Sequence, residues 1–274
     1  MYQSRAISIN LRNGLILLAV LVIYLSVSYA STTAAGELDG LVVYFAFEEG
    51  KGGVVKDLSD TGNDGKLEGD TSWTKGKFGG AVNFGGKNGL VRVEHSKSLE
   101  FTDAITISAW FRPTLKAGPG TWQLIAAKGP DVKEFFEILV HPDGFIWMGW
   151  LLSGGRVVPP QSPHNVKPDI WQHVAISFES GKWWTVYLDG EVLIDYPKRG
   201  EKLVPIDAPL LLGVEEPFNL NRYYNGDIDE FALFDRALSF DEIKAIQGGI
   251  QPILAVRPGG KLPTTWSQLK GKYR

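Results

Sequence analysis

Between residues 41 and 238 short apolar runs alternate with clusters of Gly, Pro, Asn and Asp, and no stretch keeps a helical period before residue 239. Short strands at turn-punctuated spacing are the pattern of a two-sheet antiparallel sandwich. The first run, LVVYFAF (41–47), is almost continuously apolar and predicts a strand covered on both faces. In ITISAWFR (105–112), Ile105, Ile107, Ala109 and Phe111 share one face, while Thr106, Ser108, Trp110 and Arg112 share the other. That period of two predicts a half-buried strand. In WQHVAISF (171–178), Val174, Ile176 and Phe178 face inward, which leaves His173 half exposed beside Trp171.

Two local signals fix details. In VYLDGEVLI (186–194), Asp189 and Gly190 sit between apolar runs, and both central residues of a type I′ turn need positive φ. A tight hairpin follows, with Leu188 opposite Glu191 and Val186 opposite Leu193. The only helix signal is late: Ser239 followed by Glu242 fits a capping box, and Gly248 and Gly249 stop the helix after about two turns.

The N-terminus has a different pattern. Arg5 and Arg12 precede an apolar run from Leu15 to Val27 that ends in Ser28, Tyr29 and Ala30. Basic start, apolar middle and small-residue exit predict a secretory signal peptide over residues 1–30, and hence a secreted, periplasmic or cell-surface protein. The alternative is an uncleaved anchor, for which the run is short of the roughly 20 apolar residues that span a bilayer; a membrane contact is expected only in that case. Absence of Cys removes disulfides and thiol chemistry. A net charge of −3 gives no basis for a nucleic-acid partner. Basic residues collect at the end of the chain: residues 248–274 contain Arg257, Lys261, Lys270, Lys272 and Arg274 and no acid, as a solvated tail would.

Candidate chemistry centres on acids. Asp227, Asp229, Glu230, Asp235, Asp241 and Glu242 crowd residues 226–243, with Asp241 and Glu242 already serving the helix start. No G-x-S-x-G or H-E-x-x-H occurs, and His95, His141, His164 and His173 lack metal-ligand spacing. A β-sandwich glycosidase would carry its carboxylates at alternate strand positions, as E-x-D-x-x-E or E-x-D-x-E, whereas Asp227-Ile228-Asp229-Glu230 lacks the leading and trailing Glu of those patterns; a retaining pair also needs carboxyls about 5 Å apart across a cleft. The loop DLSDTGNDG (57–65) is dense in hard oxygen ligands of the kind calcium takes. The same residues are equally those of a solvated turn.

Several segments, in order, resemble the laminin-G-like, concanavalin A-like jelly-roll family in its bacterial branch. They are LVVYFAFEEG, DLSDTGNDG with one residue more than the family loop, GKFGGAVNF, ITISAWFRP, WQHVAISFESGKWWTVYLDGEV and GDIDEFALFDRALSFDEIKAI. The resemblance covers residues 38–247, read as one jelly-roll domain, and implies an all-β, two-sheet antiparallel jelly roll with one short C-terminal helix. It also implies a structural calcium, Ca2+, held by the residues at motif positions Asp57, Asn63 and Asp229. Members of this family are often non-catalytic modules that bind carbohydrate or protein, but fold alone does not give function.

Flat aromatic rings are the natural platforms for the apolar faces of sugars, and the candidates are Trp122, Trp147, Trp150, Trp183, Trp184, Tyr223 and Tyr224. Most are needed for core packing in a sandwich of this size. In FIWMGW, Trp147 and Trp150 point to opposite faces, and Trp147 lies beside the gap left by Gly149. The expected ligand site is therefore Trp147 with His141 and Arg156 on nearby loops. The expected function is non-catalytic binding of carbohydrate or a cell-surface glycan. A protein-interaction domain and a glycoside hydrolase are the alternatives.

Overall fold

The computed structural model describes residues 38–115, 122–129, 135–182, 184–197, 200–214 and 222–255. The expected signal peptide, Trp183 and the tail from residue 256 lie outside these. The chain divides into one unit of Asp39–Gln251 and another of Met1–Leu38 with Pro252–Arg274. Of the second unit the described residues are Leu38 and 252–255, the latter in a short helix, Gln251–Ala255. No helix among the described residues is long and apolar enough to cross a membrane.

The first unit is a sandwich of two antiparallel sheets of eight strands each. The back sheet contains β1 (Leu41–Phe45), β4 (Thr71–Lys75), β5 (Gly80–Gly85), β7 (Ala104–Pro113), β12 (Gln172–Glu179), β13 (Trp184–Leu188), β14 (Glu191–Tyr196) and β16 (Asn225–Phe234). Its order is β14-β13-β12-β7-β16-β5-β4, with β1 also paired to β16. The front sheet contains β2 (Val54–Val55), β3 (Gly65–Glu68), β6 (Leu90–Val93), β8 (Gln123–Lys128), β9 (Phe136–Val140), β10 (Ile146–Leu152), β11 (Gly155–Val157) and β15 (Leu210–Leu212). Its order is β11-β10-β9-β8-β15-β6-β3-β2. The core lies between the sheets, where Ile105, Ile107, Phe111, Val174, Ile176 and Phe178 meet Ile138, Val140, Ile146, Met148 and Trp150.

The outer face of the back sheet is covered as well, so β7 is buried on both sides rather than half buried. The cover is the segment after β16, including helix α1 (Phe240–Gln247), and the polar residues of the alternation hold it. Leu238 N donates to Thr106 Oγ1, which donates to Arg236 O; Ser177 Oγ donates to Leu238 O; Trp110 Nε1 donates to Gln247 O at 3.1 Å. The capping box at the start of α1 is present, with Glu242 Oε2 accepting from Ser239 N at 2.8 Å. This cover corrects the reading of His173. It is 1% exposed, packed against Trp110 with ring centroids 5.5 Å apart.

The hairpin at Asp189 (φ 53°) and Gly190 (φ 75°) has the expected positive φ at both positions. Leu188 pairs with Glu191 as expected, but a bulge moves the partner of Val186 from Leu193 to Ile194. A bulge adds a residue to one strand and shifts the register beyond it. No turn signal announces it.

Candidate functional site

The outer face of the front sheet is built by the same alternation that builds the core. On β10, Ile146, Met148, Trp150 and Leu152 point inward, so Trp147, Gly149 and Leu151 point out. Antiparallel pairing sets Trp147 beside Leu139, Gly149 beside Glu137 and Leu151 beside Arg156. Across the next ladder Leu139 pairs with Leu124 and Glu137 with Ala127. Leu124, Ala127 and Leu139 thus form a small apolar floor, against which Trp122 and Trp147 pack half buried.

The three residues singled out as a ligand site come together around this floor. Trp122 lies 5.7 Å from Trp147 and 4.7 Å from His141, and His141 stacks on Phe145 at 4.3 Å. The Arg156 Cζ sits 5.4 Å over the Trp147 ring. Beneath lies Glu137, with its side chain 0% exposed between two guanidinium groups. Arg156 Nη2 bonds one carboxylate oxygen, and Arg222 Nη1 bonds the other at 2.9 Å. Glu137 and Arg222 were missed in the sequence. An acid inside the apolar run FFEILV is a usable signal, because a charge in a buried strand requires a partner. Arg222, 85 residues away, carries none.

Other candidate platforms belong to the core. Trp150, Trp184 and Tyr224 are 0%, 1% and 1% exposed. Tyr223 is half buried against Leu90, Leu211 and Val214.

The acids of β16 are each occupied. Asp227 accepts from Arg112 Nη2 at 2.5 Å and from Asn83 Nδ2 at 2.7 Å. Asp229 accepts from the amides of Phe78 and Glu230. Burial pushes its carboxyl up to about 8. Glu230, at φ 50° in a bulge, accepts from Tyr44 Oη at 2.6 Å and Ile250 N at 2.7 Å. Ser108 and His173 form a hydroxyl–imidazole pair at 2.8 Å, but each is 1% exposed beneath the cover and out of reach of a substrate.

Of the expected calcium ligands, two meet and one stands apart. Asp57 Oδ1 accepts from the amides of Tyr44 and Ser59, and its Oδ2 from the amide of Asn63. Asn63 Nδ2 donates to Val42 O at 3.0 Å. Between these lie Ser59 Oγ and Thr61 Oγ1, both close to Val42 O (2.9 and 2.6 Å) and to Asp57 Oδ2 (2.8 and 3.1 Å), and 3.1 Å from each other. Five close oxygen contacts share two hydroxyl hydrogens. Asn63 Nδ2 also donates to Thr61 Oγ1 at 2.6 Å; the oxygens of Val42, Asp57, Ser59 and Thr61 are the hard type that calcium takes at about 2.3–2.6 Å. Asp229 lies past the Phe45 and Phe231 pair on the β1–β16 ladder, where it anchors the turn at Phe78. No group of three or more His, Cys, Asp or Glu poised for a metal occurs among the described residues.

Residues 84–244 match the family Laminin_G_3, described as the concanavalin A-like lectin/glucanases superfamily. The chain belongs to this superfamily. Among solved structures, the binding domain of Paraclostridial Mosquitocidal Protein 1 is similar at 19% identity and a TM-score of 0.61, over 76% of this chain and 52% of that one. Domain 4 of AbnA, a GH43 extracellular arabinanase from Geobacillus stearothermophilus in complex with arabinotriose, matches at 18% identity and a TM-score of 0.58, over 76% of this chain and 98% of that domain. A structure of botulinum neurotoxin type C, whose cell entry depends on two ganglioside molecules, matches at 11% identity and a TM-score of 0.61, over 79% of this chain and 53% of that one. At these identities the likeness is one of fold. The chain spans about half the length of the toxin binding domains. A comparison with curated protein sequences finds no match.

Proposed function

We propose that this protein is an exported, non-catalytic binding module whose ligand is a carbohydrate or cell-surface glycan, taken on the outer face of the front sheet. The observation that carries the reading is the convergence of Trp147, Trp122, His141 and Arg156 on one face, three of them expected there from the residue pattern alone. Two half-buried indoles and a cation, Trp147 and Arg156 on paired strands and Trp122 just before β8, offer both apolar contact and directional donors. The superfamily includes lectins by name, and the likeness to a domain that holds arabinotriose supports the same direction. The order of basic, apolar and small residues at the N-terminus supports export.

Calcium is the proposed cofactor. Val42 O, Asp57, Ser59 and Thr61 are the groups that would hold it, with one formal charge among them, and Asn63 would join through Oδ1 only on turning over the amide that here donates Nδ2 to Val42 O and Thr61 Oγ1. There it would tie loop 57–63 to β1 and act on stability rather than on the ligand.

A glycan array probed with the wild-type chain and with Trp147→Ala tests the binding reading. The expected result is a defined set of bound glycans that the variant loses while its melting temperature stays close to that of the parent. An array with no binder, or a variant that binds as the parent does, overturns it.

A further inference from the structure

We infer that the outer face of the back sheet carries a second binding site, for the hydroxyl groups of a neutral sugar chain, built from Trp171, Arg112, Asp227, Asn83 and Ser72. It rests on the carbohydrate reading above but lies on the other sheet, so either site can fail without the other. The cover formed by residues 236–250 and the turn at Phe78 does not reach the Arg112 end of β7. Along that strand the outward residues pass from buried to open: Thr106, Ser108 and Trp110 are 0%, 1% and 5% exposed, whereas the Arg112 side chain is 38% exposed. Neighbouring strands make the same step, from buried His173 to half-buried Trp171 and from buried Ala81 to half-buried Asn83. Register sets Arg112 beside Asp227, Asp227 beside Asn83 and Asn83 beside exposed Ser72, with Trp171 just before β12 on the other flank of β7. Five neighbouring strand positions thus form one row, roughly 19 Å long at about 4.8 Å per strand. Such a row is long enough for a chain of sugar rings laid across the strands.

The row offers what hydroxyl groups need. Asp227, whose side chain is 6% exposed, accepts from Arg112 Nε at 2.7 Å and Nη2 at 2.5 Å through one oxygen, and from Asn83 Nδ2 at 2.7 Å through the other. One edge of the guanidinium is thereby filled, and the Nη1 donors remain for an outside acceptor. Asn83 Nδ2 also donates to Gly226 O at 3.3 Å. Both partners of that nitrogen are acceptors, so the amide is fixed with Oδ1 at its other end, where no donor among the described residues meets it. The Arg112 Cζ lies 5.2 Å from the Trp171 ring centroid and holds the indole in place, and the exposed part of that ring supplies an apolar contact. Sugar hydroxyls both donate and accept; here they meet a fixed donor at Arg112, a fixed acceptor at Asn83 and a hydroxyl at Ser72. Groups already held by a buried carboxylate cost little to order on binding. Arg112 and Asp227 cancel in charge, so the row gives an anion no net attraction and sets the Asp227 carboxylate against it.

The test is calorimetric titration of the full chain with cellohexaose, xylohexaose, mannohexaose, arabinohexaose and hexagalacturonate, with hydroxyl-radical footprinting of the free and saturated protein. At least one neutral hexaose is expected to bind and to lower the oxidation of Trp171. Its affinity should hold as sodium chloride is raised, because no ion pair forms with the ligand. Trp171→Ala should weaken the same sugar by about tenfold or more, the scale for truncating a central aromatic anchor. The footprint needs no variant and so does not depend on that one folding. A sugar that binds while Trp171 oxidises as in the free chain overturns the inference, as does an unaffected Trp171→Ala. If Trp122 and Trp147 are protected instead, the front-sheet reading stands and the back-sheet site alone falls. Protection of Trp171 by hexagalacturonate alone overturns the neutral class. If no probe binds, neither site stands.

Discussion

Protonation of the neutral imidazole under α1 should unlatch the cover from the back sheet. His173 is 1% exposed, bonded through Nε2 to Ser108, with Nδ1 lacking a partner, and burial pushes its pKa down to about 3. In the unfolded chain it titrates near 6.5. Between these values the unfolded state binds the extra proton, so this residue's contribution is intact above about pH 6.5 and is lost as pH falls towards 3. At about 1.4 kcal/mol per unit, the loss is about 2 kcal/mol at pH 5 and about 5 kcal/mol once both states are protonated. Asp229 works in the opposite sense. Its folded pKa is raised from 3.8 to about 8, so its contribution is present at low pH and is lost as pH rises through that range. The two slopes oppose each other from pH 4 to 6.5, and the parent's response there is muted. Replacing His173 by Phe together with Ser108→Ala removes the titration without stranding the serine hydroxyl. Urea unfolding of both proteins at pH 8, 6.5, 5 and 4 gives the difference, from which every other group cancels. The parent's advantage over the variant should shrink by about 2 kcal/mol between pH 8 and pH 5. A difference constant to within about 0.5 kcal/mol, the usual error of such comparisons, would refute the claim that His173 is held neutral.

Three further outcomes are expected. Chelation of calcium should lower the melting temperature, added calcium should restore it, and Asp57→Ala should remove the response; an unchanged melting temperature sinks the cation proposal. Ser239→Ala removes the side-chain acceptor of the capping box and should cost about 1 kcal/mol in urea unfolding. Trp150→Ala empties a fully buried position between Phe136, Phe178 and Trp184 and should cost about 3–5 kcal/mol in urea unfolding.

Local rules carried much of the fold. The apolar run of β1, the alternation of β7 and β12, the Asp189–Gly190 turn and the Ser239 cap each express physics contained within a few residues. What the pattern misjudged depended on distant chain. Thr106, Ser108, Trp110 and His173 read as a solvent face, because nothing in their own strands announces that residues 236–250 will lie across them. The Val186 register failed at a bulge, which leaves no compositional mark. The ligand face divides the same way: Trp147, His141 and Arg156 follow from strand parity and nearness in sequence, whereas Arg222 reaches Glu137 through a contact that only the assembled sheet provides. Asp229 was drawn to the calcium loop by its motif position, while the structure sets it at the turn of Phe78.

The position of β16 also governs when the molecule can form. This strand pairs with β1, β5 and β7 at once, although its residues come last among the strands of the described residues. Pairings between the two ends of a long sequence are slow to form, because the intervening chain must first lose its freedom. A growing chain that has not reached Asn225 holds three strands with open hydrogen-bonding edges and an apolar face without cover. A truncation before residue 225 should give an aggregating product rather than a smaller domain.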